Sequence, residues 1–225
     1  LIVKFCSDNQ TKKIRRMYAA EIKNLTKTFG KSVAADNISL NIEKGKITGL
    51  IGADASGKTT LIRLITGLLL PDSGEVKVLD LNPYTDKREL NKKIGYMPQK
   101  FGLYEDLTVM ENLCLYADLK NRPHEFDKML EFTSLKPFTE RLAGALSGGM
   151  KQKLGLACTI LGTPEFLILD EPSVGVDPIS RRELMKMVRA MITPETTVLW
   201  STAYLDEAHG FDIAVVEDKG KIIFN

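Results

Sequence analysis

Lys58 and Thr59 close the stretch Gly52-Ala53-Asp54-Ala55-Ser56-Gly57, with Thr60 following, and the spacing G-x-x-x-x-G-K-[ST] is a pattern for holding phosphate. In such a loop, backbone N–H groups and the start of the next helix point at anionic oxygens. The lysine reaches the β- and γ-phosphates, and the hydroxyl of Thr59 binds Mg²⁺. The alternative is a plain strand-to-helix turn with an exposed lysine. A second group lies in Phe166-Leu-Ile-Leu-Asp170-Glu171-Pro172, an apolar run ending in two carboxylates. Such a strand delivers its acids to the carboxyl edge of a parallel sheet, where ligands bind. Asp170 is suited to Mg²⁺, and Glu171 to taking a proton from a water that attacks a γ-phosphate. A third group is Leu146-Ser147-Gly148-Gly149-Met150-Lys151-Gln152. Ser147 is a helix cap and the two glycines permit close backbone approach, which makes either a second anion cradle or a simple capped helix.

The elements around these residues alternate between strand and helix patterns. Ile38, Leu40 and Ile42 alternate with polar residues, and 46–51 is an apolar run ahead of the glycine-rich loop. A helix is predicted over 58–68, strands over 74–80 and 92–97, buried strands over 166–170 and 197–201, and a helix between those two. Residues 212–217 and 221–224 read as a hairpin across Asp218-Lys-Gly-Lys221. Between about 103 and 161 the spacing is helical throughout, including 124–135. Strands joined by helices imply an α/β fold with a parallel sheet, interrupted by a mostly helical insertion.

Composition narrows the function classes. The chain has 225 residues, 44% hydrophobic and 27% charged, enough for a substantial core. The net charge is +2, but residues 1–16 carry five basic residues against one acidic, leaving −2 for the rest. That argues against a nucleic-acid-binding surface. The basic lead-in reads as a solvated tail or an artificial extension, with Met17 as a natural start. "LIVKF" is too short for a signal peptide, and the most apolar stretch, 61–70, is too short and too charged for a membrane span, so a soluble chain is expected. Cys6, Cys114 and Cys158 form no C-x-x-C pair and are expected to be reduced, with no zinc.

At these residues the chain resembles the ATP-binding cassette (ABC) ATPases. "GADASGKTT" looks like the family's Walker A, "LILDEP" like Walker B, "LSGGMKQ" like the signature and "SVGVD" like the D-loop. "YMPQKFGLYEDLTVMENL" is similar to the Q-loop and the transporter-facing segment. The resemblance runs from Ala19 to Phe224 with the motifs in order. It implies a P-loop (RecA-like) core with a parallel sheet, an antiparallel β-part and a helical subdomain at roughly 100–161, all within 17–225. It also implies ATP and Mg²⁺ as ligands, with Gly52, Ala53, Asp54, Ala55, Ser56, Gly57, Lys58, Thr59 and Thr60 around the phosphates and Thr59, Gln99 and Asp170 around the metal. Glu171 and Gln99 are the implied catalytic residues.

By the same resemblance, Phe29 stacks on adenine, the alternative being a core aromatic. Gln99 reaches Mg²⁺ and the attacking water, the alternative being a solvated loop amide. Ser147, Gly148 and Gly149 serve the nucleotide of a partner cassette. Asp177 stands at the dimer seam or, equally, caps the helix beginning at Pro178. Phe101 to Tyr104 lie near a membrane permease. Within the family the chain most resembles bacterial drug-export ATPase subunits, particularly those with two cassettes in one polypeptide, and it stops where such proteins continue. A place on the cytoplasmic face of the inner membrane follows.

One residue departs from the pattern. Where the family has a histidine between Thr202 and Tyr204 that donates to the γ-phosphate, this chain has Ala203. The two histidines present, His124 and His209, are poor substitutes. The second lies six residues on, about nine ångströms along a helix at about 1.5 Å per residue. Slow hydrolysis at the chain's own Walker A site is expected, while the intact Glu171 and Ser147-Gly148-Gly149 leave it able to complete a partner's site. A non-transport ABC protein and a binding-only regulatory cassette are the competing readings. Ala55 departs as well, since the family more often has glycine there, and a left-handed backbone would strain it.

Overall fold

The computed structural model describes residues 17–100 and 102–225. The basic lead-in with Cys6, and Phe101 of the transporter-facing segment, lie outside the described residues. Two long strands, β1 (Tyr18–Phe29) and β2 (Ser32–Glu43), form a hairpin whose turn passes through Gly30 at φ 59°. The other edge of β1 takes β4 (Ser73–Val78), so that this sheet has the order β2-β1-β4 and is antiparallel throughout. Its apolar residues face one side: Ile22 lies opposite Leu40 on one neighbour and Val76 on the other, the period-two pattern of a half-buried sheet.

The second sheet has the order β5-β6-β7-β3-β8-β9. Its members are β3 (Ile47–Ile51), β5 (Ile94–Met97), β6 (Phe166–Asp170), β7 (Thr197–Thr202), β8 (Ile213–Asp218) and β9 (Lys221–Phe224). All pairings are parallel except β8 with β9. Every residue of β3, β6 and β7 is buried, because helices or the other sheet cover both faces. One cover is α1 (Lys58–Ile65), whose Leu61, Ile62, Leu64 and Ile65 pack between the two sheets.

Between β5 and β6 lie α3 (Val109–Leu119), α4 (Asp127–Phe132) and α5 (Gly148–Ile160), around a core of their own that includes Leu113, Leu130 and Leu154. A short α2 (Lys87–Asn91) precedes β5, and α6 (Pro178–Ala190) lies between β6 and β7. The far face of the parallel sheet packs Leu156 of α5 and Leu184 and Val188 of α6 against Leu167, Leu169 and Trp200.

Several boundaries differ from those expected, for local reasons. The helix predicted over 58–68 ends at Ile65, since Gly67 turns left-handed at φ 70° and the N–H groups of Leu68 and Leu69 return to Arg63 O. The strand over 74–80 stops at Val78, because Leu79 and Asp80 take φ 51° and 65° in a tight turn. The strand over 92–97 begins only at Ile94. The helix over 124–135 shrinks to six residues, bounded by Pro123 on one side and left-handed Ser134 on the other. His209 sits in the 3₁₀ segment Leu205–Gly210 rather than on an α-helix. That rise of about 2.0 Å per residue carries it further from Ala203.

The single tryptophan pins this last segment. Trp200 of β7 is fully buried, and its Nε1–H donates to Glu207 Oε2 at 3.1 Å, while Glu207 Oε1 has no hydrogen-bond partner. The bond spans the chain from β7 to the 3₁₀ turn and so holds Ala203 between two fixed points. Trp200→Phe keeps most of the apolar volume but strands the Glu207 carboxylate. A loss of about 1–3 kcal/mol in urea unfolding is expected; an unchanged midpoint would show that the bond contributes nothing.

Candidate nucleotide site

The loop between β3 and α1 owes its shape to two glycines and one alanine. A Cβ at Gly52 would run into the Glu217 carbonyl and Ser56 Oγ, and one at Gly57 into Glu217 Oε1 and Ala34 O. Gly57 also takes φ 128°, which side-chain-bearing residues avoid. Ala55 is left-handed at φ 61°, at a cost of roughly 1–2 kcal/mol against an ordinary conformation. The loop is tied to its surroundings through Gly52 N–H to Thr202 O at 3.1 Å and Gly220 N–H to Ser56 O at 2.7 Å. The end of β7 and the β8–β9 turn therefore hold it from two sides.

A cleft of about 440 Å³ opens over this loop. It is lined by Ser32, Val33 and Ala34 of β2, by the loop and helix start from Asp54 to Thr60, and by Gln99, Glu171 and Lys219. Lys58 is buried at its floor. Its ammonium donates to Gly52 O at 2.8 Å and Ala53 O at 2.9 Å and pairs with Glu171 Oε1 at 3.1 Å. The second carboxylate oxygen of Glu171 accepts from Gln99 Nε2 at 2.7 Å. Gln99 is an exposed loop residue whose amide is nonetheless tied to Glu171 at the cleft.

The two carboxylates at the end of β6 are positioned by the neighbouring strand. Ser201 Oγ of β7 donates to Asp170 Oδ1 at 2.7 Å and accepts from Glu171 N–H at 2.9 Å. Glu171 itself is left-handed at φ 50°, and the serine bond helps hold that conformation. Thr59 Oγ1 of α1 donates to the same Asp170 Oδ1 at 3.2 Å. Asp170 Oδ2 is buried and has no hydrogen-bond partner. Burial pushes the Asp170 carboxyl upward from its ordinary value, and the Glu171 charge adds to this against the bonds from Ser201 and Thr59. An orphaned oxygen beside a threonine hydroxyl is a donor set that fits a hard divalent cation.

Other expected residues fall outside this cluster. Phe29 is half exposed, so it is not a core aromatic; it pairs with Ser32 at the cleft mouth, with Lys27 Nζ 5.6 Å from its ring centre. Ser147 caps α5, its Oγ accepting from Met150 N–H at 3.3 Å, and Gly148 and Gly149 open that helix. None of these three lines the cleft of its own chain. Asp177 caps α6, its Oδ1 accepting from Ile179 and Ser180 N–H groups at 3.0 Å each. Ala203 directly follows Thr202, whose carbonyl holds Gly52. His124 is engaged with Asp118 at 2.8 Å and stacks on Phe126. It is an exposed residue of the helical segment.

Sequence reasoning missed four participants: Ser201, Glu217, Lys219 and the Ser32–Ala34 edge. A serine closing an otherwise apolar buried strand was the available signal for Ser201. The others come from distant strands and carry no motif. Ser201→Ala removes two bonds at once. We expect a stability loss of about 1–3 kcal/mol by chemical denaturation and weaker Mg²⁺-dependent nucleotide binding, with Mg²⁺-independent binding little changed. Equal loss of both would place Ser201 outside the carboxylate network.

A profile of the family described as "ABC transporter" matches residues 35–174. The probable multidrug ABC transporter ATP-binding protein YbhF of Escherichia coli is 55% identical over 192 residues, covering 83% of this chain and 33% of that protein. The bacitracin transport ATP-binding protein BcrA of Bacillus licheniformis is 34% identical over 184 residues, covering 81% of this chain and 60% of that protein. The chain therefore spans about a third of the length of the first relative. Among solved structures, a nucleotide-free ATP-binding cassette from an ABC transporter superposes with a TM-score of 0.81 at 28% identity, covering 92% of this chain and 90% of that one. The dimeric post-hydrolysis cassette MJ0796, bound to ADP and Pi, superposes with a TM-score of 0.79 at 26% identity, covering 91% and 97%. With the phosphate loop, the paired carboxylates and the glutamine assembled in one cleft, the chain belongs to the ABC transporter family, of which it forms an ATP-binding cassette.

Proposed function

We propose that this cassette binds and hydrolyses ATP to drive a membrane permease in export, as part of a two-cassette assembly on the cytoplasmic face of the inner membrane. The observation that carries the reading is the cluster in one cleft of Lys58, Glu171 and Gln99 beside Thr59 and Asp170. Among the described residues no helix is long and apolar enough to cross a membrane. The names of YbhF and BcrA support the export class. The dimeric MJ0796 cassette supports a paired arrangement. That this chain matches only a third of YbhF supports its belonging to a longer, tandem protein.

Each residue's task follows from its position. Lys58 exchanges Gly52 O, Ala53 O and Glu171 for the β- and γ-phosphates, which releases the glutamate as it binds substrate. Glu171, freed of the ammonium but still near Gln99, accepts a proton from the water that attacks the γ-phosphate. Gln99 orients that water. Thr59, Asp170 and Gln99 would hold Mg²⁺, which when bound neutralises charge on the phosphates. Phe29, half exposed beside Ser32, supplies a stacking face for the adenine. Ser147, Gly148 and Gly149 lie outside their own cleft, as a segment serving a partner's nucleotide would. Asp177 reaches the same seam while capping its helix, and Gly102 to Tyr104 approach the permease.

Ala203 sets the rate. A hydrogen bond to a charged phosphate is worth about 1.5–3 kcal/mol, so its absence in the transition state slows turnover about ten- to a hundredfold. The chain's own site then acts as a slow clamp, and its signature segment completes a faster site on the partner. The methyl side chain also favours a second reading, a regulatory cassette that binds without turnover. Steady-state hydrolysis by the purified chain beside Ala203→His separates these. Slow turnover raised tenfold or more by histidine supports the slow clamp, with Glu171→Gln abolishing the residual rate. No turnover in either protein despite tight binding supports the regulatory cassette. Fast hydrolysis unchanged by histidine contradicts both.

A further inference from the structure

Glu217 is a buried acid that the proposed chemistry does not use. It lies on β8, opposite Ile222 of β9, next to Val216, which pairs with Ile51 at the base of the phosphate loop. Only 1% of its surface is exposed, and neither carboxyl oxygen has a hydrogen-bond partner. Its Oε1 lies directly against Gly57, at the position a side chain there would need. We infer that Glu217 is a positioning residue of the nucleotide site, whose carboxyl lies behind the phosphate loop and holds its proton more tightly when nucleotide is bound, so that binding takes up a proton wherever the empty site has lost it. The inference rests on the proposed nucleotide binding.

The surrounding charges explain why the acid stays neutral. From the loop and α1 it faces Lys58, but that ammonium donates to Gly52 O and Ala53 O and pairs with the Glu171 carboxylate at 3.1 Å instead. From the β8–β9 turn come Asp218, Lys219, which lines the cleft, and Lys221, which pairs with Asp36 of β2 at 3.2 Å. Asp54 stands at the outer lip of the cleft. None of these gives Glu217 a hydrogen bond. A carboxylate so placed would be desolvated without compensation, and proteins neutralise such groups instead. Burial accordingly pushes this carboxyl up to about 8, with Lys58 opposing.

Phosphate entering the loop changes both influences in one direction. Negative charge arrives on the opposite side of the same loop, and Lys58 turns toward it. Both make ionisation of Glu217 harder, so its affinity for a proton rises on binding. By linkage the proton favours the nucleotide to the same extent. The sign follows directly. Well below pH 8 Glu217 is neutral with or without ligand, and affinity is indifferent to pH. As pH rises through about 8, the empty site loses its proton while the filled site keeps it, and affinity falls by up to about tenfold per pH unit.

Calorimetry with MgADP in two buffers of different ionisation heat tests this, at about pH 7 and about pH 8.5. The native protein is expected to take up a substantial fraction of a proton per nucleotide at the higher pH and little at the lower. Glu217→Gln, and Glu217→Met as an apolar replacement of similar length, should take up none and hold a flat affinity across this range. Uptake by the variants equal to the native value, or binding by the native protein with none at the higher pH, would overturn the inference. Absence of binding by the native protein at either pH would instead overturn the nucleotide reading, and this one with it.

Discussion

A buried ammonium cannot stay charged without partners, and the floor of this site is arranged around that constraint. Lys58 is 3% exposed, and its ammonium donates to two carbonyls of its own loop and pairs with the Glu171 carboxylate. The loop must therefore curl back over its lysine, which requires the left-handed residues Ala55 and Gly57. Glu171 must lean inward from the end of β6, which requires its own left-handed turn. Breaking one side of such a pair in isolation costs about 3–5 kcal/mol. Phosphate can replace these partners because it brings charge of the same sign as the glutamate it displaces.

The carboxyl edge of the parallel sheet makes this arrangement rigid. β6 and β7 are hydrogen-bonded neighbours, with Asp170 opposite Ser201, and that register lets one hydroxyl serve both Asp170 and the backbone of Glu171. One residue further along β7, Thr202 O holds the loop through Gly52 N–H. The two carboxylates at the end of β6, the phosphate loop and the Ala203 position are thus set by three adjacent strands, β6, β7 and β3. Trp200, pointing to the opposite face of β7, anchors the turn that follows through Glu207. A methyl group at 203 is consequently presented at a well-defined place.

Two acids beside the same lysine are treated in opposite ways. Glu171 has the ammonium and Gln99 as partners and reaches the cleft. Glu217 approaches the loop from behind, receives no bond from an ammonium engaged elsewhere, and retains its proton. The difference is one of partners: Glu171 has two, and neither oxygen of Glu217 has a hydrogen bond. It gives the loop a carboxylate at its front for chemistry and a neutral acid at its back.

Much was legible in the sequence alone. The phosphate loop, the apolar strand ending in Asp170-Glu171 and the capped glycine pair at Ser147 are local patterns in residue type and spacing, whereas the alanine at 203 stands out only against the pattern of the family the chain resembles. The α/β class followed from apolar runs too continuous for one-sided strands. Boundaries were less legible, since single left-handed residues such as Gly67, Leu79 and Ser134 end elements that periodicity would extend. What only the tertiary structure decided is which distant groups meet. Ser201 reaches across thirty-one positions to Asp170, Gln99 across seventy-two to Glu171, and Glu217 settles behind Gly57 from the end of the chain. Strand order decides such meetings, and it depends on long-range packing of both sheets against α1, which no local spacing encodes.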